Sequence, residues 1–371
     1  MRNSAHRAAL VAAAALFPHT LASQAASTSD SAARATRIAL SGYVEASYAA
    51  SSTRDTMVGR LFDRHANQFT LNALKIGAEL PAPSDRFGTG ARIDVLFGQN
   101  ATLVQSNGLS LGPSGDITQL YLAATVPVTS RRPIRIRAGK LASLMGLEVI
   151  ESVANPNFSE GNQFNFAENF TATGVEASYQ LAPRLEAQVQ LVNGWDVVVD
   201  NNAAKTVFAR VTFSGPGRGG VAVLGYTGAE QSAGTARRAG GQILAHQQVG
   251  GITVWAQGDV GREEANSTLP DSSAAARWSG AGLWIDARLS RKVRVAVRGD
   301  YFDDEKGART SSAFGLTGAP THRITSGTVT ASVGEGKFLL RSELRWDRSN
   351  LRPFDGRAEQ TSVALAVVRF H

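Results

Sequence analysis

The amino-acid sequence predicts an all-β fold, a single transmembrane antiparallel β-barrel of about 16 strands, with 14 to 18 strands compatible with the pattern. Three observations support this fold class. Apolar and polar residues alternate in many short segments, the connections between these segments are alternately short and long, and no long apolar run follows the N-terminal region. A spanning helix needs about 20 apolar residues, so only strands of this chain could cross a membrane.

The N-terminal segment has the layout of a secretory signal. Arg2 and Arg7 precede an apolar run from Ala8 to Phe17, and small residues follow around Ala25 and Ala26. This order is typical of an export signal that is cleaved near those alanines. An N-terminal membrane anchor is the alternative, but the apolar run is short for one. The expected division of the chain is a signal peptide over 1–25, a flexible polar lead over 26–36 and the barrel over 37–371.

Composition excludes several kinds of site. The chain has no cysteine, so disulfides, thiolate metal sites and cysteine nucleophiles cannot form. Its formal net charge of +7 is scattered singly along the chain, without the basic runs of a nucleic-acid-binding arm, so nucleic acid is not an expected partner. The six histidines lack metal-ligand spacing, so we expect neither a metal nor another cofactor.

Alternation with a period of two recurs along the chain after residue 37. Between Ile38 and Tyr48 the even positions are mostly apolar, whereas the odd positions include two serines and a glutamate. The strand therefore has two different faces. In residues 69–80 the apolar phase shifts between Ala73 and Leu74, which predicts a β-bulge. The candidate strands start near residues 38, 67, 89, 117, 134, 172, 185, 204, 220, 238, 251, 277, 292, 324, 337 and 359.

The lengths of the connections distinguish a membrane barrel from a soluble β-sandwich. Tight turns, such as Ala182-Pro183 and Gln248–Gly250, follow even-numbered strands, whereas long polar loops follow odd-numbered ones. Sorting short turns to one rim and long loops to the other is typical of bacterial outer-membrane barrels. Because lipid offers no hydrogen-bond partners to an open sheet edge, the last strand, Thr361–Phe370, is expected to pair with the first, Ile38–Tyr48.

Several short signatures occur in an order that resembles the OmpL-like family of β-barrel porins. The resemblance covers roughly residues 43 to 205 and implies an outer-membrane channel without catalytic residues. The signatures are Phe62-Asp63-Arg64, Asn67-Gln68-Phe69, Leu71-Asn72, Arg92-Ile93-Asp94-Val95, Phe97-Gly98, Gly139-Lys140, Gly146-Leu147-Glu148, Asn155-Pro156-Asn157-Phe158-Ser159, Thr173-Gly174-Val175, Ser178-Tyr179, Asn193-Gly194-Trp195-Asp196 and Asn201-Asn202.

Charged strand positions are expected to face the lumen, because an arginine on the lipid face costs about 2–4 kcal/mol at the midplane. Opposed charges could create a transverse field across a pore, or they could form cross-strand ion pairs that stiffen the wall. A surplus of arginine suggests a weak preference for anions. The residues expected to line the pore are Arg92, Asp94, Arg135, Arg137, Glu176, Arg210, Arg288, Arg294, Arg298, Arg341, Glu343 and Arg345.

The longest connection, residues 141–169, is unusually apolar for a loop exposed to water. A loop of this length without obvious secondary structure is usually functional or disordered. We hypothesise that it folds into the barrel and constricts the pore, with Glu148, Glu151, Asn155 and Asn157 near the constriction. The alternative is a loop packed over the outer rim.

These features predict an outer-membrane, porin-like channel for passive or weakly selective diffusion of small hydrophilic solutes, and not an enzyme. Sixteen strands leave an aqueous lumen, whereas eight-stranded barrels fill with side chains. The alternatives are a barrel enzyme of the lipase or protease type, for which no Ser and His arrangement stands out, and a barrel anchor or adhesin.

The expected partners follow from this location. They are outer-membrane lipid and lipopolysaccharide, small hydrophilic solutes, and the barrel-assembly machinery. Phe370, an aromatic residue near the C-terminus, resembles the signal that this machinery recognises. By analogy with 16-stranded general porins, which are often trimers, a homotrimer is one expected assembly.

Overall fold

The computed structural model describes residues 37–53, 56–129, 132–231, 235–318 and 320–371. These residues form one closed barrel of sixteen antiparallel strands, in which each strand pairs with its neighbours in sequence and the last strand pairs with the first. The predicted fold class is therefore confirmed. The predicted signal peptide, 1–25, and polar lead, 26–36, lie outside the described residues.

The strands are 8 to 15 residues long, and each predicted start lies within two residues of the observed one. The strands are β1 (Ala39–Ser51), β2 (Gln68–Leu80), β3 (Gly88–Phe97), β4 (Gly115–Thr129), β5 (Arg132–Ala142), β6 (Thr171–Ala182), β7 (Leu185–Val192), β8 (Thr206–Ser214), β9 (Arg218–Ala229), β10 (Arg237–Val249), β11 (Ile252–Glu263), β12 (Ala276–Arg288), β13 (Val293–Asp304), β14 (His322–Glu335), β15 (Phe338–Ser349) and β16 (Glu359–Phe370).

Within the described ranges, the helices are short and lie in the connections. They are α1 (Ala101–Val104), α2 (Asn162–Ala167), α3 (Ser311–Phe314) and a 3-10 turn at Ser152–Ala154. Among the described residues, no helix has the length and apolar character needed to span a membrane.

The barrel closes where the sequence predicted. In the β1–β16 ladder, Tyr48 lies opposite Leu365 and Val44 lies opposite Arg369. This ladder satisfies the backbone groups of both terminal strands, which lipid could not do. The predicted bulge is also present, since Ala73 lies opposite Glu45 while Leu71 lies opposite Ala46, so Asn72 is the extra residue of β2.

The two faces of the wall differ in chemistry. On β15 and β16, Leu344 and Val363 are about half exposed on the outer face, whereas Glu343, Arg345 and Ser362 are buried on the inner face. The alternation persists around the barrel, so the outer surface is apolar and the inner surface carries the charges. This distribution is the one that a hydrocarbon environment around the barrel requires.

At the long-loop rim, side chains from several connections pack together over the interior. Phe166, Leu269, Phe314 and Phe354 come from four different connections and form a buried cluster with strand residues such as Phe302. The rings of Phe166 and Phe314 are 5.8 Å apart, and those of Phe314 and Phe354 are 6.0 Å apart. The loops therefore cover part of the barrel mouth.

The outer face yields a first prediction. Leu344→Arg should lower the free energy of unfolding in a lipid bilayer by about 2–4 kcal/mol, because it places a charge against hydrocarbon. Leu344→Ala is the control that removes side-chain volume without adding charge. Denaturant titration in lipid vesicles measures both values, and equal losses for the two variants would contradict a lipid-facing outer surface.

Candidate functional site

The connection between β5 and β6, residues 143–170, lies inside the barrel, and we call it the inner loop. Its polar contacts reach the inner faces of β8, β10 to β15, β1 and β2, and most of these strands are far from the two that it joins. On β1, Glu45 accepts a hydrogen bond from Ser152, and on β10, Gln242 accepts one from the backbone N–H of Gly146 at 2.7 Å. The loop therefore crosses the interior.

Carboxylates of the wall replace the backbone partners that the inner loop lacks. Glu343 accepts hydrogen bonds from the N–H of Phe158 at 2.7 Å and from that of Ser159 at 3.2 Å. Asp300 accepts from the N–H of Asn162 at 3.0 Å. Buried peptide groups must find partners, and bonds to charged acceptors are stronger than neutral ones.

Two arginines of β15 bind the carbonyl side of the same loop. Arg341 donates to the carbonyls of Ser152 at 2.6 Å and Pro156 at 2.9 Å, and Arg345 donates to that of Glu160 at 2.6 Å. Both guanidinium groups are almost fully buried. The wall therefore contacts the donors and the acceptors of one stretch of backbone.

Within the inner loop, Glu148 and Asn155 organise the chain. Glu148 accepts from Arg298 at 2.8 Å, from the Trp284 indole at 3.1 Å and from the N–H of Gly161 at 2.6 Å. The Asn155 amide bridges the N–H and the carbonyl of Val149, both at 2.9 Å. These bonds fold the loop back on itself.

The other two residues of the predicted constriction lie at opposite sides of the loop. Asn157 donates to Thr330 of β14 at 2.8 Å and is buried. Glu151 forms an ion pair with Lys75 of β2, and its side chain is 19% exposed. Glu151 is therefore the member of the predicted set that water reaches.

The end of the inner loop is fixed by Asp196, which belongs to the connection between β7 and β8. One of its carboxylate oxygens accepts from the N–H groups of Phe170 at 2.8 Å and Thr171 at 2.9 Å. Burial raises the pKa of Asp196 to about 6, although these hydrogen bonds oppose the shift. Asp196 has φ of 54°, a left-handed conformation that aspartate tolerates better than most residues.

A second attachment of the loop contains two carboxylates and no basic side chain among the contacts that the structure describes. Glu168 accepts hydrogen bonds from Gln257 at 2.6 Å and Gln242 at 3.3 Å, and both glutamines also donate to Asp259 of β11. Burial, and then the neighbouring Asp259 and Glu148, raise the pKa of Glu168 well above its usual range. The surroundings of Glu168 therefore favour its protonated form.

The opposite side of the interior has a different character. Within the described residues, β3, β4 and β7 make no side-chain hydrogen bond to the inner loop, and two arginines on this side are partly exposed. Side chains are 22% exposed for Arg92 and 17% for Arg137, compared with 0% for Arg298 and 1% for Arg345. Water therefore reaches Arg92 and Arg137, whereas the inner loop shields Arg298 and Arg345.

The partly exposed charges are mostly paired. Arg92 contacts Asp94 at 2.9 Å and Glu79 at 3.0 Å, and Arg137 contacts Glu176 at 2.5 Å. Arg135 has no ion pair within 4 Å among the described residues. Arg210 donates one hydrogen bond, to the carbonyl of Leu144 at 3.0 Å.

The residues predicted to line the pore therefore fall into distinct groups. Arg298, Arg341, Glu343 and Arg345 contact the inner loop. Arg294 pairs with Asp286, and Arg288 is exposed at the turn end of β12. The members on the side away from the loop are Arg92, Asp94, Arg135, Arg137 and Glu176, and Arg210 of β8 reaches the start of the loop through the carbonyl of Leu144.

Three groups of contact residues were missed by the sequence analysis. Lys75 lies beyond the bulge of β2, where the alternation changes phase. If the inward positions of β2 are counted with that change of phase, Lys75 is one of them. Arg60 lies in the connection between β1 and β2 and binds Asp347 at 2.8 Å, and no periodicity marks it. The glutamines Gln242 and Gln257 are uncharged, so a pattern of charged positions does not select them.

The chain matches one family model and many solved barrels. The family model, described as "Putative beta-barrel porin-2, OmpL-like", matches residues 37–370. The sequence has no significant match among curated proteins.

The fold is similar to that of several solved outer-membrane proteins. The outer membrane channel DcaP of Acinetobacter baumannii is 12% identical, with 90% of this chain and 97% of that chain covered and a TM-score of 0.60. The anion-selective porin from Comamonas acidovorans is 9% identical over 90% and 99%, with a TM-score of 0.60. OmpT of Vibrio cholerae in its trimer form is 8% identical over 90% and 99%, with a TM-score of 0.58. At these identities the likeness concerns the fold.

The loop contacts yield a second prediction. Glu343→Gln should accelerate hydrogen exchange at the amides of Phe158 and Ser159 and lower the free energy of unfolding by about 1–3 kcal/mol, because the charged acceptor of both amides is lost. Mass spectrometry of exchanged peptides measures the first effect. Glu335→Gln, at an exposed turn, is the matched control, and unchanged exchange in Glu343→Gln would refute the anchoring role.

The raised pKa of Glu168 yields a third prediction. Between the usual glutamate pKa, about 4.3, and the higher folded-state pKa, the folded protein holds more protons than the unfolded chain, so stability falls as pH rises. The contribution is complete below the usual pKa and is lost as pH rises through the folded value. Glu168→Gln should flatten this part of the profile in thermal unfolding. Glu264→Gln, at an exposed position, should not, and two identical profiles would contradict the assignment.

Proposed function

The chain belongs to the OmpL-like family of β-barrel porins, and from this premise we propose that small hydrophilic solutes cross the outer membrane along the inner face of β2 to β8. One observation carries the proposal. The inner loop fills the side of the lumen next to β10–β15, whereas charged side chains on the other side retain contact with water. Charged and hydrated walls suit polar solutes.

In this proposal the predicted pore-lining residues have two roles. Arg298, Arg341, Glu343 and Arg345 hold the inner loop in place and thereby set the width of the passage. Arg92, Asp94, Arg135, Arg137, Glu176 and Arg210 contact the passing solute. The inner loop acts as the constriction, with Glu151 and Lys75 at its exposed edge.

Weak anion preference remains part of the proposal. On this wall Lys75, Arg92 and Arg137 are all ion-paired. Among the described inward-facing cations of β2 to β8, Arg135 and Arg210 have no ion pair within 4 Å. Glu186 is the described inward-facing acid of these strands that has none either. One structural neighbour is an anion-selective porin. A modest excess of unpaired guanidinium favours anions without excluding cations.

The remaining expectations follow from the outer-membrane location. We propose that the export signal is cleaved near Ala25 or Ala26, that both ends of the barrel face the periplasm, and that Phe370 takes part in recognition by the assembly machinery. Lipid and lipopolysaccharide would surround the apolar outer face. A homotrimer is the proposed assembly, because a neighbour of the same fold is described in a trimer form.

A barrel enzyme is the rival function, and one contact bears on it. His322 lies 2.9 Å from the hydroxyl of Ser349 and 3.0 Å from that of Thr310, whose hydroxyl donates to Asp304. His322 and Ser349 are buried, and Ser349 also accepts from the N–H of Leu351 at 3.0 Å. A serine sealed from substrate and already hydrogen-bonded favours a structural role for this cluster.

The absence of cysteine allows a direct test of the passage. Ala123 of β4 and Ala296 of β13 both lie on the inner face, but Ala123 is half-buried while Ala296 is only 2% exposed. Purified protein in a planar bilayer should show stepwise conductance. In Ala123→Cys, a negatively charged thiol reagent should reduce that conductance by at least about twofold, whereas Ala296→Cys, the matched control, should react much more slowly. No conductance, or equal reaction of both variants, would refute the proposed passage.

A further inference from the structure

Four polar side chains form a row across four neighbouring strands on the inner face. Arg135 of β5 lies opposite Ser178 of β6, Ser178 lies opposite Gln188 of β7, and Gln188 lies opposite Arg210 of β8. At about 4.8 Å per strand, the two arginine backbones are about 14 Å apart along the wall. Long side chains shorten that distance at the lumen.

The row faces the lumen, as its neighbours show. Val175, Val189 and Val211 alternate with the row residues on β6 to β8 and are 43–48% exposed on the outer face. On β5, Arg137 has the same phase as Arg135 and binds the inward Glu176. The four side chains therefore point to the proposed passage.

The polar groups of the row have few partners within the protein. Ser178 and Gln188 are more than nine-tenths buried, yet neither side chain makes a hydrogen bond within the described part of the chain. The side chain of Arg135 makes none there either, and Arg210 uses one nitrogen for the carbonyl of Leu144. Each of the four side chains therefore has a donor or an acceptor that no described protein group uses and that a solute in the lumen could bind.

The charge of the row defines the ligand further. Arg137 is neutralised by Glu176, whereas Glu186 lies within electrostatic range of both Arg135 and Arg210. Two guanidinium groups and one carboxylate leave one positive charge. A ligand with a single negative charge would complete the neutralisation.

We infer that the row of Arg135, Ser178, Gln188 and Arg210 is a binding site for a small hydroxylated monocarboxylate, of the sugar-acid class, on its way through the barrel. The inference rests on the proposed function. A guanidinium binds a carboxylate through two parallel hydrogen bonds. The serine hydroxyl and the glutamine amide both donate and accept, which suits the hydroxyl groups of such a solute.

The inference is distinct from stiffening of the wall. Cross-strand ion pairs stiffen a wall by contacting one another, as Arg92 and Asp94 do. The row residues make no such contacts with one another within the described residues. The row residues therefore have donors that no described protein group uses, whereas Arg92 and Asp94 satisfy each other.

The experiment uses gluconate as the probe and glucose as its neutral counterpart. Single channels of the full-length protein are recorded in potassium chloride with increasing gluconate. We expect concentration-dependent reduction of the chloride-carrying current by gluconate and none by glucose. Arg135→Gln and Arg210→Gln should each raise the half-blocking concentration by about tenfold or more, since each removes a charge-assisted contact.

Two further variants make the result specific. The double variant Ser178→Ala with Gln188→Ala leaves every charge in place and should weaken the block by gluconate more than the block by acetate, which has no hydroxyl groups. Arg323→Gln is the charge-matched control, because Arg323 is 56% exposed at the long-loop rim. Heat-modifiable migration on gels verifies that each variant forms a barrel.

The outcomes separate the two proposals. Absence of conductance steps in potassium chloride would overturn the proposed channel function itself. Normal steps with equal gluconate block in wild type, Arg135→Gln and Arg210→Gln would overturn the binding site and leave the channel intact. If the arginine variants do not fold, the alanine double variant decides, and an unchanged preference for gluconate over acetate would overturn the site.

Discussion

Every feature of this protein depends on the need to satisfy backbone hydrogen bonds inside the barrel wall. Hydrocarbon offers no donor or acceptor, so each strand must have a neighbour on both sides, and the ladder between β1 and β16 supplies the last one. Closure then fixes which residues face inward, because side chains alternate strictly along each strand. Glu343 and Leu344 are adjacent in sequence and experience opposite environments for this reason alone.

The same requirement explains the inner loop. A chain that enters the barrel without forming a sheet brings unpaired N–H and C=O groups into a confined space. Here the wall provides charged side chains as their partners, with Glu343 for the amides and Arg341 and Arg345 for the carbonyls. Such a loop keeps one shape because its partners are mounted on a rigid sheet.

The fold was predictable from the sequence because it depends on a local signal. Alternation and loop length gave the strand starts and the closing pair, and the phase shift beside Ala73 located the bulge to within a residue or two. The division of the interior was not predictable. Whether Arg298 or Arg92 is open to water depends on where the inner loop lies, and nothing in the periodicity of β13 or β3 contains that information. Arg60 was missed for the same reason, since it lies in a connection that has no repeating pattern.

The inner loop is attached on one side of the barrel, and this asymmetry has an evolutionary consequence. On β3, β4 and β7 the polar inward residues, such as Arg92 and Gln188, make no side-chain hydrogen bond to the inner loop within the described residues. Substitutions at those positions can change which solutes cross without weakening the hydrogen bonds that hold the inner loop in the pore. Related proteins could therefore come to transport different solutes while they retain the same scaffold. A designer could change the permeability by substituting residues on these strands alone.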